Sequence, residues 1–338
     1  MLRATGLRER KMKDEVLLEV RDLKVYFPVT RGILRRKVAD IKAVDGVEFE
    51  IGKGETFGLI GESGSGKTTV GRAITRLVPI KEGKIFFKGK DVLGLGEGEL
   101  RVLRKSITYI FQDPYSSLNP RQTAGSIVGE PLIIHRLVNS KREYRRRVEE
   151  LFASVGLDPA MIERYPHEFS GGQRQRLAIA RAIASQPFLV ICDEPVSALD
   201  VSIQAQIINL FQELQEKFEG LSYLFISHDL AVVRHICERI AVMYLGRIVE
   251  VAERLTVFDR PLHPYTKALI SAVPIPDPIV ERRRERIILK GEIPSPLAIP
   301  KGCRFSPRCP AARSECYDIE PELREVEKSH YVACALYG

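Results

Sequence analysis

Residues 56–68 read TFGLIGESGSGKT, and the architecture of the chain follows from how that run has to be built. TFGLI has the apolar character of a buried strand, Gly61, Gly64 and Gly66 make the next stretch a loop, and residues 68–77 continue as a helix. Gly61, Gly66, Lys67 and Thr68 satisfy G-x-x-x-x-G-K-[ST] at every fixed position, between the strand and the helix that the motif demands. Glycines let successive N–H groups turn inward around phosphate oxygens, and a helix N-terminus adds partial positive charge. Lys67 is therefore expected to reach the β- and γ-phosphates of a nucleotide and the Thr68 hydroxyl to hold Mg²⁺. A Gly/Ser-rich turn matching by chance is the alternative, and the flanking elements weigh against it.

Phosphoryl transfer also needs a second Mg²⁺ anchor and a group that orients water. The apolar run FLVIC at 188–192 ends in Asp193 and Glu194. Asp193 is expected to hold the metal through its water shell, and Glu194 to polarise the attacking water. In isolation such a pair is more often a cap after a buried strand.

Around these motifs the chain alternates strands and helices. Residues 17–27 alternate apolar and polar as a half-buried strand does, 44–61 reads as strand, turn and strand, and 80–92 as a further hairpin. From about 97 to 165 the pattern is mostly helical, and in KREYRRRVEELFASVGL (141–157) Tyr144, Val148, Leu151, Phe152 and Val155 form one apolar stripe. Helix 173–185, strand 188–192, helix 204–218, strand 223–227 and hairpin 240–252 complete the body. This order predicts an α/β fold with a parallel sheet and a helical insertion. After about 256 the chain turns Pro-rich (Pro261, Pro264, Pro274, Pro276, Pro278, Pro294, Pro296, Pro300), which predicts an extended appendage. The expected division is 1–256 for the main body, with the helical part at 97–165, and 257–338 for the appendage.

The 338 residues carry a net charge of +8, with 44% hydrophobic and 28% charged residues, as a soluble protein does. The amino terminus is basic without an apolar core of signal-peptide length, and no apolar run approaches the roughly 18 residues of a membrane-spanning helix. The chain is thus expected to be intracellular and to meet a membrane only through a partner. The basic runs at 145–147 and 282–284 have no aromatic platform beside them, which argues for a solvated or membrane-facing surface and against nucleic acid.

Ser170, Gly171, Gly172 and Gln173 open a further helix, itself an anion site of the helix N-terminus type. Taken with the preceding motifs this stretch resembles the signature of ABC ATPases. The resemblance implies a P-loop NTPase core with an antiparallel β subdomain, a helical subdomain and a small C-terminal Cys-rich appendage. It also implies that the signature of one subunit covers the ATP held by another. Gly61, Glu62, Ser63, Gly64, Ser65, Gly66, Lys67, Thr68 and Thr69 would then bind ATP, with Phe27 stacked on adenine and Tyr26 as its rival. Gln112, in YIFQDPYSSLNP, looks like the glutamine that senses Mg²⁺ and faces the membrane partner. Asp200, ending SALD at 197–200, resembles the loop that crosses the dimer seam, and His228 resembles the histidine that contacts the γ-phosphate. Phe169 departs from the usual Leu but is equally apolar.

AVDGVEFEI, GESGSGKTT, FQDPYSSLNPR, HPYTKAL and CRFSPRCP look like the oligopeptide/dipeptide importer branch, whose relatives also carry nickel or oligosaccharides. The implied partners are a second ATPase subunit, identical or homologous, two transmembrane permease subunits and, indirectly, an extracytoplasmic substrate-binding protein. The implied place is the cytoplasmic face of the membrane. A non-transport ABC ATPase is the rival from another class, although repair members carry long coiled-coil insertions and translation members two cassettes. A binding-only regulatory subunit is a second rival, against which Glu194 speaks.

Cys303, Cys309, Cys316 and Cys334 crowd the last 36 residues with spacing C-x₅-C-x₆-C-x₁₇-C. Four thiolates suit a 4Fe–4S cluster or structural zinc, and the lack of a tight C-x₂₋₄-C pair favours iron–sulfur over Zn²⁺. Peptide-importer members with such a tail also resemble cluster-binding proteins. Free thiols in a loose tail are the remaining alternative.

Overall fold

Short apolar runs become strands here because neither face of them is left to water. The computed structural model describes residues 15–32, 36–273, 286–292 and 294–337. The basic amino-terminal run, Pro274, Pro276, Pro278 and the arginines at 282–284 lie outside these residues. The chain divides into two compact units. One holds the described residues up to Leu18 together with Ile51–Thr56 and Phe87–Ile226; the other holds Glu19–Glu50, Phe57–Phe86 and the described residues from Ser227 onward.

In the first unit the strands Ile107–Ile110, Leu189–Asp193 and Ser222–Ser227 lie side by side and parallel, with Ile107 opposite Leu189 and Leu189 opposite Ser222. Residues 189–193 and 222–226 are buried throughout, as expected of a parallel sheet covered on both faces. The strand at 107–110 falls inside the stretch expected to be mostly helical. Four residues are too few to show a period, but Ile, Thr and Tyr favour a pleated surface, and Ile107 and Ile110 are both buried.

Helix Lys141–Ser154 starts where Ser140 Oγ accepts the Glu143 N–H at 3.1 Å. Val148, Leu151 and Phe152 are buried as the stripe predicted, and Val155 just beyond the helix joins them. Arg145 pairs outward with Glu149 and Glu163, and Arg146 with Glu150. These carboxylates neutralise that part of the basic run in place, and such exposed pairs add little stability.

In the second unit the strands Arg36–Gly52, Val16–Arg31 and Glu82–Phe87 stand next to one another in that order. Beside them in sequence, Thr56–Ile60 runs parallel to Arg239–Tyr244, Phe57 facing Arg239 and Ile60 facing Val242. Arg239–Tyr244 turns back through a hairpin into Arg247–Glu253.

The tail is not an extended appendage. Its strand His330–Val332 pairs antiparallel with Arg247–Glu253, Val332 opposite Glu250, and Arg324–Glu327 pairs in turn with His330–Val332. Glu250 supplies the physical reason. Its side chain is fully buried, and its carboxylate collects the N–H groups of Leu262 and His263 at 2.8 and 2.9 Å and His330 Nε2 at 2.8 Å. A buried carboxylate must find partners or forfeit its solvation, so three segments of chain converge on it.

His263 then uses Nδ1 to accept the Tyr265 N–H at 3.0 Å, capping helix Pro264–Ser271. Burial pushes its pKa down to about 4, against the pull of Glu250 and with the help of Lys267. An unfolded histidine titrates near 6.5, so between about pH 6.5 and 4 the unfolded chain binds the extra proton. The cap's contribution is complete above that window and is lost as pH falls through it. His263→Asn keeps a capping oxygen and removes the titration. The Tm gap between wild type and this variant should narrow steadily from pH 7 to pH 4; parallel curves in thermal melts would refute the assignment.

Candidate functional site

The expected site residues fall in both units. In the second unit, strand Thr56–Ile60 is buried along its whole length and delivers Gly61 into the loop. Gly61 has φ 151°, and a Cβ there would lie 2.1 Å from the Met243 carbonyl oxygen. Gly66 has φ 105°, and a Cβ would meet the Ala43 carbonyl oxygen at the same distance. No side chain fits either position, so the glycines of the motif are dictated by close backbone approach as well as by the ligand.

Helix Lys67–Ile74 begins at Gly66 without a side-chain cap and without an acidic residue in its first turn. That leaves a positive helix end bordering the loop. Lys67 is 4% exposed. Its Nζ donates to the carbonyls of Gly61 and Glu62 at 2.8 and 2.9 Å and to Ser65 Oγ at 3.3 Å. Ser63 and Gly64 are exposed, and Thr68 and Thr69 are half-buried at the helix start.

The same unit holds the two rivals for adenine. The Tyr26 hydroxyl donates to Asp45, and Lys81 sits 4.2 Å over the Tyr26 ring. Burial and the Asp45 carboxylate lift the Tyr26 hydroxyl to about 12. Phe27 faces the other way by strand alternation and has no such hold among the described residues. His228 is exposed, just before helix Leu230–Ile236, which Asp229 caps through the N–H groups of Ala231 and Val232.

In the first unit the buried strand Leu189–Asp193 ends in the carboxylate pair. Asp193 is 1% exposed and accepts a hydrogen bond from the Tyr109 hydroxyl at 2.8 Å. Glu194 is half-buried with φ 49°, a left-handed conformation costly for any residue but glycine. Its N–H is tied to Ile226 O at 2.9 Å, and Gln112 Nε2 donates to its Oε2 at 2.8 Å. Two residues separated by 82 positions, each singled out by motif alone, thus meet side chain to side chain.

Helix Gly171–Ile183 opens with a reciprocal cap. Ser170 Oγ accepts the Gln173 N–H at 3.3 Å, and Gln173 Oε1 accepts the Ser170 N–H at 3.0 Å. The third amide of the turn is thereby spent. Gly172 is packed so closely that a Cβ would meet Ile203 at 2.7 Å. Asp200 precedes helix Val201–Lys217 with an exposed side chain that makes no capping bond.

Sequence reading missed Tyr109, Asp45, Tyr265, Arg304 and Arg308. Asp45 receives the Tyr26 hydroxyl and Arg304 Nη2 at 2.5 Å. Burial opposes its ionisation, but these two bonds with the charges of Arg304 and Lys42 outweigh it and pull the carboxyl down to about 2. The placement of Arg304 and Arg308 between Cys303 and Cys309 was the one available hint.

The four tail cysteines lie near enough to influence one another. Burial first, then the neighbouring thiols, push Cys303 up to about 11, against a hydrogen bond from the Phe305 N–H. Cys309 and Cys334 are raised by burial too and receive N–H groups from Ala311 and Leu336. Cys316 Sγ accepts the Arg313 N–H at 3.4 Å, and Cys303 N–H donates to Cys316 O at 2.8 Å. Sulfur is a donor that soft metals accept and each of these sulfurs receives an N–H, but burial and the neighbouring thiols favour the protonated form of Cys303, Cys309 and Cys334. Among the described residues no three His, Cys, Asp or Glu side chains are arranged to grip a metal.

The ABC transporter family profile matches residues 44–197, and the profile described as oligopeptide/dipeptide transporter, C-terminal region, matches 249–316. The chain is 56% identical to the oligopeptide transport ATP-binding protein AppF of Bacillus subtilis, over 96% of this chain and 98% of that protein. It is 53% identical to the oligopeptide transport ATP-binding protein OppF of Salmonella typhimurium, over 95% and 96%. Among solved structures, the dimeric post-hydrolysis state of the ATP-binding cassette MJ0796, bound to ADP and Pi, aligns with TM-score 0.62 at 30% identity. That alignment covers 70% of this chain and 99% of the cassette. The cbiO1 structure from Clostridium perfringens, part of the ABC transporter complex cbiONQ, aligns with TM-score 0.62 at 25% identity, over 73% and 92%. Among the described residues no helix is long and apolar enough to cross a membrane. From the phosphate loop to the cysteine tail, the chain belongs to the ABC transporter family, as an ATP-binding subunit of the branch that carries the oligopeptide/dipeptide transporter C-terminal region.

Proposed function

We propose that this chain hydrolyses ATP to drive the import of di- and oligopeptides through a membrane permease. The observation that carries the ATPase reading is the loop at 61–69, whose glycines exclude every side chain at 61 and 66 while Lys67 is buried beneath it. The peptide cargo rests on the relatives AppF and OppF, both described as oligopeptide transport proteins.

In this reading the loop amides and Lys67 cradle the β- and γ-phosphates, and Phe27 stacks on the base. Thr68 and Asp193 hold Mg²⁺, with Gln112 completing its surroundings. Bound Mg²⁺ neutralises charge that builds on the phosphate oxygens during transfer. Glu194 takes a hydrogen bond from the attacking water and His228 donates to the γ-phosphate. The Gln112 amide, donating to Glu194 Oε2, holds that carboxylate ready as an acceptor. Ser170, Gly171, Gly172 and Gln173 belong to the site of a partner subunit. There the Ser170 hydroxyl and the N–H groups of Gly171 and Gly172 meet the γ-phosphate while Gln173 caps the turn, and Asp200 lies at the seam. Closure of two subunits excludes water and supplies fixed donors, the main source of stabilisation in such transfers. The partner ATPase is a second copy or a homologue. Two transmembrane permease subunits and, indirectly, an extracytoplasmic substrate-binding protein complete the assembly, with this chain at the cytoplasmic face of the membrane. Residues 1–256 form the motor and 257–338 a C-terminal region whose strand His330–Val332 pairs with Arg247–Glu253.

For the four cysteines we keep a 4Fe–4S cluster ahead of Zn²⁺. The grouping of four sulfurs in one tail and the N–H group that each receives support this, and the arrangement must tighten to grip a metal.

Three outcomes follow. Glu194→Gln should bind MgATP as wild type does and lose about 100-fold or more in steady-state turnover; undiminished turnover would remove Glu194 from its role. A strain lacking this subunit should fail to grow when an essential amino acid is supplied only as a tripeptide, and growth would point to another cargo. Anaerobically purified protein should contain iron and acid-labile sulfide in equal amounts, whereas stoichiometric zinc without iron would replace the cluster.

A further inference from the structure

Glu62 is the second residue of the phosphate loop, and each of its polar groups is held. Its N–H donates to the Tyr265 hydroxyl at 2.8 Å, and its carbonyl accepts from Lys67 Nζ at 2.9 Å. Its carboxylate receives a forked pair from Arg308, Nη1 to Oε2 at 2.8 Å and Nη2 to Oε1 at 3.1 Å. The Arg308 side chain is only 8% exposed and that of Glu62 26%. The segment bearing Arg308 is itself firmly seated. Phe305 packs against the rings of Tyr244 and Tyr265 at 5.3 and 5.4 Å. Arg304 binds Leu245 O and Asp45, both at 2.5 Å, and Glu320 at 2.6 Å. Arg308 therefore reaches the loop from a fixed base.

We propose that Arg308 is a positioning residue for nucleotide binding, the end of a brace by which the cysteine-bearing tail sets the curvature of the phosphate loop. The inference rests on the reading of residues 61–69 as the MgATP site. A loop that offers several amides to one phosphate chain binds weakly if its peptide planes must first be ordered. The fork fixes the Glu62 side chain while Tyr265 fixes its N–H, so the planes on either side of Glu62 are set before the nucleotide arrives. A parallel fork of two N–H bonds is particular to guanidinium; an ammonium makes one contact and leaves the direction free. A tail that merely docked would need the Phe305 cluster and the Asp45 pair but no contact with the loop.

The test is equilibrium binding of MgATP and MgADP to the full chain, with hydrogen exchange on the loop amides. Arg308→Ala should raise both dissociation constants about tenfold and speed exchange at residues 61–64. Arg308→Lys should fall between, and KM for ATP should move more than kcat. The exchanged pair Glu62→Arg with Arg308→Glu should bind more tightly than either single variant. Wild-type affinity in both Arg308→Ala and Arg308→Lys would overturn the proposal. So would a change confined to Tm, or an exchanged pair no better than the single variants. If Arg308→Ala does not fold, Arg308→Lys and Glu62→Gln decide by the same criterion. Failure of the wild-type chain itself to bind MgATP, at a concentration where Lys67→Ala serves as the blank, would instead sink the nucleotide reading.

Discussion

Backbone pressed against backbone is the constraint on which the nucleotide half of this molecule is organised. The carbonyls of Met243 and Ala43 stand where side chains would otherwise grow from Gly61 and Gly66. Two strands far apart in sequence thereby become the mould of the phosphate loop. Strand Arg239–Tyr244 supplies one wall and also pairs with the strand that feeds the loop. The Ala43 wall belongs to Arg36–Gly52, the strand that carries Asp45. The positions of the loop's two ends are thus inherited from sheet registration, and the contacts along its middle are added to that frame.

The sequence disclosed whatever depends on local pattern. Residues 56–68 declared strand, loop and helix because each step uses residue types with few other uses. The stripe from Tyr144 to Val155 declared its helix because 3.6-residue spacing persists over about three turns. Asp193 and Glu194 were recognisable because an apolar run ended in acids. The strand at 107–110 was hidden, since its identity rests on pairing with Leu189–Asp193 and not on its own four residues. Gln112 was singled out by family likeness and Glu194 by its place after an apolar run, and that their side chains meet could not be deduced from spacing.

The tail was the least legible part. Proline content suggested an extended strap, but prolines report on where a helix cannot continue and say little about what the intervening residues bind. The decisive residues are single polar groups whose partners are distant: Glu250 with His330, Arg304 with Asp45, Arg308 with Glu62. Each is unremarkable in a window of sequence. Together they fold residues otherwise read as an appendage into the same unit as the phosphate loop.

The backbone at Glu194 carries a wider implication. With φ at 49°, the position would be more comfortable as glycine. Glu194 is held there against the grain, its N–H donating to the Ile226 carbonyl and its carboxylate accepting from the Gln112 amide. Robustness and chemistry therefore make opposing demands at this single residue. A search for hardier versions of the chain would be drawn to glycine here, the substitution that on the role proposed for Glu194 silences the motor, so thermal endurance alone is a treacherous guide to improving it.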